Sequence, residues 1–246
     1  MAISSIIQIL LAPIILSKLD YELYGLWCVL SVILVIGAYG DQGLGDSLIR
    51  HIAISHVKKD SDSLQEYFFT SLFMAVGIGL ACIIIIFLLT NFLIGLLNIP
   101  KYYFTLSRLL LNCLSFILFI YLISIVFEAT ITGIGRIDIK NYFFILGRIL
   151  QFVFTAVLLY LNYGIWALFF GQLISKALVF FICFGYLKLT NTITFIKIGS
   201  VNIIKAREIV VMGSGMIVSR FLQLGLQPLL RIVISRYTGL ENVSFF

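Results

Sequence analysis

The stretch from Tyr67 to Thr90 is mostly apolar and contains no charged residue. It is long enough for an α-helix to cross the hydrocarbon core of a bilayer, which takes about 20 residues. In that environment only helices and closed barrels satisfy all of their backbone hydrogen bonds. The stretch therefore predicts a membrane-spanning helix, and it constrains the fold of the chain more than any other feature.

The composition extends this prediction to the whole chain. Apolar residues make up 61% of it and charged residues 11%, against roughly 45–50% and about 25% in soluble domains. A soluble protein of 246 residues does not hide that much apolar surface in one core. We expect an all-α integral membrane protein with about seven transmembrane helices. The expected segments are Ile3–Leu19, Leu23–Ile49, Tyr67–Thr90, Leu106–Ala129, Tyr142–Leu161, Gly164–Leu187 and Ile209–Ser235, and Val243–Phe246 is the expected start of an eighth.

The connections between segments carry local signals. Ser63–Glu66 matches a capping box and predicts the start of the third helix. Asn162–Gly164 predicts a tight turn, so the fifth and sixth helices are expected to be antiparallel neighbours. The polar stretches His51–Glu66 and Lys188–Glu208 are predicted to be long, mobile loops.

The distribution of basic residues predicts the orientation, because cytoplasmic loops are enriched in Lys and Arg. One set of connections is rich in basic residues and the alternate set is poor in them. The net charge of +6 is explained by this topology, and no nucleic-acid partner is expected. The rich set places the N-terminus in the cytoplasm. It holds Arg50, Lys58, Lys59, Arg136, Lys140, Lys188, Lys197, Lys205 and Arg207, and the poor set holds Lys18, Lys101 and Arg236.

A short internal repeat predicts how the helices are grouped. Pro13–Trp27 and Pro228–Phe246 share an apolar helix that ends in Ser-Lys or Ser-Arg, a polar link with Glu and an aromatic restart. Both copies are expected to cross the membrane in the same direction, as in the parallel repeats of many transporters. We therefore predict a six-helix bundle over residues 1–187, a cytoplasmic linker over 188–208, and the first helix of a second bundle over 209–246.

Several ionisable residues fall inside the expected spans. A basic residue at the centre of a spanning helix costs about 2.5–3.5 kcal/mol on insertion scales, so it normally faces protein or a watery cavity. Arg148, Lys176 and Arg220 are the deepest, and we predict that they line a path for an anionic ligand. Asp41 and Glu128 are candidates for gating or for binding a coupling ion. There is an alternative for each. Asp41 could neutralise one of these cations, and Glu128 could form an ion pair with a neighbouring helix or with Arg136. Asp46, Arg108 and Arg231 are expected to be interfacial anchors.

Other chemistry has little support in the sequence. His51 and His56 are not spaced for the helical metal motif, so neither a metal site nor a cofactor is expected. No Ser/His/Asp set is available for nucleophilic catalysis, so we do not expect an enzyme. Gly37, Gly40, Gly43 and Gly45 predict either close helix packing or a bendable helix that carries Asp41 as part of a gate.

Three stretches carry a resemblance to a known family. Pro13–Trp27 is similar to the opening pattern of the bacterial polysaccharide flippases, which include O-antigen and teichoic-acid exporters. Gly40–Arg50 and Phe127–Asn141 are similar to the end of their second helix and to their fourth-to-fifth connection. These flippases belong to the multidrug/oligosaccharidyl-lipid/polysaccharide transporter superfamily.

The resemblance implies a function and a longer chain. Members have about twelve to fourteen helices in two bundles, so this sequence is expected to be part of a larger protein. They export a polyprenyl-diphosphate-linked oligosaccharide across the bacterial cytoplasmic membrane by alternating access, for O-antigen, capsule or teichoic-acid synthesis. The implied partners are this lipid-linked substrate, the bilayer, and a polysaccharide polymerase with other glycan-assembly proteins.

Two other functions remain open at this point. A drug/cation antiporter of the same superfamily predicts a net acidic cavity, whereas the deep charges here lean basic. A seven-helix sensor or scaffold fits the helix count, but it explains neither the repeat nor the expected eighth helix.

Overall fold

The computed structural model describes residues 11, 13–97, 99–190, 192–193 and 201–224, without the side chains of 36–42 and 216–224. Most of the first predicted segment, the C-terminal copy of the repeat, Arg231, Arg236 and Val243–Phe246 lie outside these residues. Over the described ranges the chain is almost entirely helical, without strands. Residues 13–18 are helical, and the helices that follow are α1 (Tyr21–Leu30), α2 (Val32–Val57), α3 (Ser61–Leu96), α4 (Phe104–Gly133), α5 (Ile137–Tyr160), α6 (Trp166–Leu189) and α7 (Ile203–Leu224).

Four of the described helices are long and apolar enough to cross a membrane, namely α3, α4, α5 and α6. The 36 residues of α3 reach about 54 Å at 1.5 Å per residue, well beyond a hydrocarbon core of about 30 Å. Large apolar side chains of α3 point away from the protein, such as Phe73 at 67% exposure and Leu88 at 74%. An outward apolar face of this kind on a helix of this length is typical of a membrane-spanning segment. The predicted all-α membrane fold is confirmed.

The central helix of the fold is α4, which packs against α1, α2, α3, α5 and α6. Near one end of α4, Leu110, Leu111 and Leu114 join a core with residues of α1 and α6. Near its other end, Phe127 makes edge-to-face contacts with Phe68 of α3 and Phe180 of α6, at centroid distances of 5.3 and 5.2 Å. These aromatic contacts tie three helices together just beside the polar residues described below.

One predicted helix has a local irregularity, and one predicted helix start was wrong. The second segment is interrupted at Ser31, which separates α1 from α2, although the Ser31 N–H donates to the Trp27 carbonyl and the Val35 N–H donates to the Ser31 carbonyl across the interruption. The Ser31 hydroxyl donates a hydrogen bond to the Cys28 carbonyl at 2.9 Å, which is a local alternative to regular helix bonding. The third helix begins at Ser61 rather than at Ser63. Its N-cap is Asp60, whose carboxylate accepts a hydrogen bond from the Ser63 N–H at 3.0 Å.

The predicted long loop over His51–Glu66 was also wrong, because α2 continues to Val57 and α3 starts at Ser61. Polar side chains alone do not end a helix. The helix α2 continues to Val57, and Lys59, two residues later, takes a left-handed conformation at φ 56°. By contrast, the tight turn between α5 and α6 is confirmed. Asn162 and Gly164 both have positive φ, at 61° and 58°, and the two helices pack along each other.

The helix α7 begins at Ile203, inside the stretch predicted to be a linker, and packs against α2 and α3. A Cβ on Gly213 would lie 2.6 Å from the Gly43 carbonyl oxygen, so the backbones of α2 and α7 touch. The predicted close packing therefore holds at Gly43. Nearer its start, α7 is attached by polar contacts. Lys205 pairs with Glu66 at 2.8 Å, Asn202 and Lys205 make hydrogen bonds to Glu66, Thr70 and Ser63, and Tyr67 donates to Glu208.

Candidate functional site

A polar cavity of about 300 Å³ lies between four helices of the bundle. Its walls come from the second half of α2, the second half of α4, the first half of α5 and the middle of α6. A polar cavity among such apolar helices is a natural place for a ligand. The lining residues are Gly45, Asp46, Ile49, Tyr121, Ile125, Glu128, Ala129, Lys140, Phe144, Arg148 and Lys176.

Helical periodicity explains how distant positions reach one cavity, because residues three or four apart share a helix face. On α5, Lys140, Phe144 and Arg148 follow one another at spacings of four. Eight residues correspond to about 12 Å of helix. The cavity therefore extends from the first turn of α5, where Lys140 lies, to the middle of that helix at Arg148.

Small residues bring α5 and α6 close together beside the cavity. A Cβ on Gly147 would lie 2.6 Å from a methyl carbon of Val179. A Cβ on Gly171 would lie 2.1 Å from the Thr155 hydroxyl oxygen and 3.1 Å from the Thr155 Cα. Because these glycines let the backbones approach, Arg148 of α5 and Lys176 of α6 line the same narrow extension of the cavity, together with Glu128, Gln151 and Ser175.

Each of the two deep cations rests on an aromatic ring. The Arg148 guanidinium carbon lies 5.3 Å from the Phe144 ring centroid, and the Lys176 Nζ lies 4.5 Å from that of Tyr121. Arg148 also donates a hydrogen bond to Gln151 at 3.3 Å. Cation–π contacts stabilise a charge without neutralising it. Both groups are half-buried, so the aromatic rings replace part of the water that an exposed cation would contact.

The acidic residues of the cavity are fewer than the basic ones. Glu128 makes no ion pair or hydrogen bond through its carboxylate with any side chain that the structure describes. Its proposed partner Arg136 lies 3.5 Å from Asp138 instead, so no Glu128–Arg136 pair is present among the described residues. The lining holds three basic side chains and two acidic ones. The cavity is therefore mixed in charge, with an excess of one positive charge.

The predicted site residues divide into two groups. Arg148, Lys176 and Glu128 come together in the cavity. Arg220 lies on α7 and Asp41 on α2, and their side chains are outside the described set.

Three lining residues were missed or assigned elsewhere. Asp46 was predicted to be an interfacial anchor, Lys140 to be a cytoplasmic loop charge, and Tyr121 was not singled out. Helical spacing in the sequence could have identified two of them. Lys140 is eight residues before Arg148, and Tyr121 is seven residues before Glu128, so each pair lies on one helix face. Among the described residues, no group of three His, Cys, Asp or Glu side chains is placed to hold a metal.

The helical bundle with its central polar cavity has the fold of a known class of membrane transporters. A structure from Pyrococcus furiosus, described as a transporter of the MOP superfamily with reversed binding-pocket polarity, matches with a TM-score of 0.73 at 16% identity. The match covers 90% of this chain and 50% of that one. An outward-facing multidrug-resistance MATE transporter matches with a TM-score of 0.75 at 18% identity, over 99% of this chain and 56% of that one.

The sequence itself identifies the family. The profile of the polysaccharide biosynthesis proteins matches residues 11–246, which is nearly the whole chain. The protein belongs to this polysaccharide biosynthesis family. No curated protein sequence matches it significantly. The chain spans about half the length of the solved transporters it resembles.

Proposed function

We propose that the chain forms the first bundle, and the first helix of the second, of a flippase for polyprenyl-diphosphate-linked oligosaccharides. The transporter moves this lipid from the cytoplasmic to the outer leaflet by alternating access, during assembly of O-antigen, capsule or teichoic acid. The observation that carries the proposal is the pair of cations, Arg148 and Lys176, in one cavity at the middle of two apolar helices.

The chemistry of a diphosphate fits these side chains. An ionised group costs several kcal/mol or more to bring into an apolar region. Arginine offers a planar fork of donors that matches phosphate oxygens, and lysine adds a compact point charge. In the proposal Arg148 and Lys176 bind the diphosphate, and Lys140 attracts it at the end of the cavity. Arg220 is a further candidate for this path, while Asp41 and Glu128 are candidates for the coupling ion or the gate.

The proposal requires the end of the cavity that carries Lys140 to face the cytoplasm. The excess of basic residues on the α2–α3 and α4–α5 connections supports this orientation. We expect a reporter fused after Asn162, in the turn between α5 and α6, to be active only outside the cell. A matched fusion after Arg136, between α4 and α5, is expected to report the cytoplasm. The reverse pattern would invert the topology and place Lys140 at the outer surface.

A drug/cation antiporter is the second candidate, and one observation favours it. Glu128 and Asp46 place two carboxylates in the same cavity, as a cationic substrate requires. The solved relative from Pyrococcus furiosus is described as having a reversed pocket polarity that suggests a different function. Pocket charge is therefore the property that separates the two candidates.

The test uses the full-length protein in proteoliposomes that contain a short-chain polyprenyl-diphosphate oligosaccharide with a fluorescent label. We expect the labelled lipid to become accessible to a membrane-impermeant quencher faster than in liposomes without protein. The same vesicles are tested with a lipophilic cationic dye under a proton or sodium gradient. Dye movement without movement of the labelled lipid would establish the antiporter, and movement of neither would reject transport of both substrate classes.

A further inference from the structure

A second groove lies on another face of α2, between that helix and α7. It has a volume of about 550 Å³ and is lined by Arg50, His51 and Ile54 from α2 and by Arg207, Glu208, Val211 and Met212 from α7. Arg50 and Ile54 are four residues apart and share one face of α2, whereas Gly45 and Ile49 share the face that lines the cavity. The groove is therefore separate from the substrate cavity.

The groove combines positive charge with exposed apolar side chains. The side chains of Arg50 and Arg207 are exposed. Beside them, Ile54 is 43% exposed and Val211 is 65% exposed. Among the described residues, the Arg50 guanidinium donates to the Met212 sulfur at 3.9 Å, which is a weak acceptor. Most of its donor capacity is therefore not used by the described protein groups.

A histidine ring lines the same groove. The His51 ring stacks on Tyr67 with centroids 4.6 Å apart, which fixes its position. Its Nε2 atom is buried and has no hydrogen-bond partner among the residues that the structure describes. Such an atom is costly unless something binds it. Because Nε2 is buried, a ligand in the groove contacts other atoms of this fixed ring.

The acidic residue in the groove is already engaged. Glu208 accepts a hydrogen bond from the Tyr67 hydroxyl, a residue of α3. This leaves the two guanidiniums in excess over one carboxylate. The groove lies near the ends of α2 and α7 that adjoin the polar α2–α3 connection, with Lys58 and Lys59 close by in sequence. These ends are where a lipid headgroup meets a membrane protein.

We propose that the α2–α7 groove binds one anionic glycerophospholipid of the bilayer. Arg50 and Arg207 hold its phosphate, and the His51 ring forms part of the wall beside it. An acyl chain runs from the phosphate along Val211, away from the start of α7. Basic pockets between transmembrane helices bind anionic headgroups in this way. The lipid fills the space between α2 and α7, and its binding does not depend on which substrate is transported.

The test measures lipid that stays bound to the full-length protein. The protein is reconstituted in phosphatidylcholine with a minor fraction of phosphatidylglycerol, extracted in mild detergent and examined by native mass spectrometry. We expect retained phosphatidylglycerol in excess of its share of the bilayer. The double variant Arg50→Gln with Arg207→Gln is expected to lower that retention by about tenfold or more, at roughly 1 kcal/mol for each basic residue.

The matched control removes two positive charges at the same end of the molecule but outside the groove, as Lys58→Gln with Lys59→Gln. Retention is expected to stay near the wild-type level. An equal loss in this control, or equal retention of phosphatidylcholine by the wild type, would overturn the proposal. If the double variant does not fold, Arg207→Gln alone is used, because this side chain is exposed and a loss of about fivefold is expected from one charge.

A last arm separates the phospholipid from the transported substrate. A polyprenyl diphosphate is added at a concentration equal to that of phosphatidylglycerol. If the diphosphate lipid displaces phosphatidylglycerol and is itself retained through Arg50 and Arg207, the groove is a substrate site and the proposal is wrong. If phosphatidylglycerol stays bound, the groove is specific for the bilayer lipid, whether or not the protein transports the diphosphate.

Discussion

Replacing Lys176 with alanine in the full-length protein is expected to lower export of the lipid-linked oligosaccharide by about 10- to 100-fold. Hydrogen bonds to charged groups contribute about 1.5–3 kcal/mol, and each 1.4 kcal/mol corresponds to a factor of ten. Lys176 lies near the middle of α6, away from both ends where bulk water is available. Few other groups are placed to replace its charge. The change Arg148→Ala is expected to have an effect of the same size, since both side chains line one narrow part of the cavity.

Matched controls come from the same two helices. Lys188→Ala removes an exposed lysine near the end of α6, and Arg136→Ala removes an exposed arginine just before α5. Both are expected to leave export near normal. Lys176→Arg keeps the charge and is expected to retain much of the activity. Surface glycan and the amount of protein in the membrane are measured together. Normal export by both alanine variants, Lys176→Ala and Arg148→Ala, would show that these cations are not on the substrate path.

The substitution Gly171→Val is expected to remove most of the folded protein from the membrane. A Cβ at this position already overlaps the Thr155 hydroxyl, and the Thr155 backbone lies behind it. The clash therefore cannot be relieved by moving a flexible side chain. Overpacking of this kind typically costs about 1–3 kcal/mol. Here it also pushes α5 away from α6 and so widens the cavity that these helices share.

Gly185→Val is the matched control, because Gly185 is on the same helix and a Cβ there has no neighbour within 4 Å. Yield after detergent extraction and the temperature of unfolding are compared for the two variants. A milder change, Gly171→Ala, is expected to be partly rescued by Thr155→Ala, which removes the nearest clashing atom. If Gly171→Val and Gly185→Val give equal yields, the close contact between α5 and α6 is not required for folding.

The sequence predicted the membrane class and most helix positions because long apolar runs have few alternatives in lipid. The boundaries outside the membrane were predicted less well. Between α2 and α3 the polar residues resemble a loop. The left-handed conformation of Lys59 follows the end of α2, and the Asp60 cap marks the start of α3, so backbone conformation and capping decide these two boundaries. Hydropathy carries no information on this point.

The site was predicted in part for a similar reason. Arg148 and Lys176 stand out because a charge in an apolar run is rare and costly. Lys140 and Asp46 lie near helix ends, where charges are common, and only their pairing with neighbouring helices reveals them as cavity residues. Which helices become neighbours depends on small residues such as Gly147 and Gly171. These glycines contact Val179 and Thr155, and no pattern in the sequence identifies those contacts in advance.

The attachment of α7 has a mechanical consequence. Directional polar contacts fasten its first turns to α3, including the Lys205–Glu66 ion pair. Further along, its backbone touches α2 at Gly213 and Gly43. Smooth backbone contact lets two helices roll on each other, whereas hydrogen bonds and ion pairs hold until they break. The Lys205–Glu66 ion pair and the hydrogen bonds beside it must therefore break before the start of α7 can move away from α3, and the strength of these contacts sets the free-energy cost of that movement.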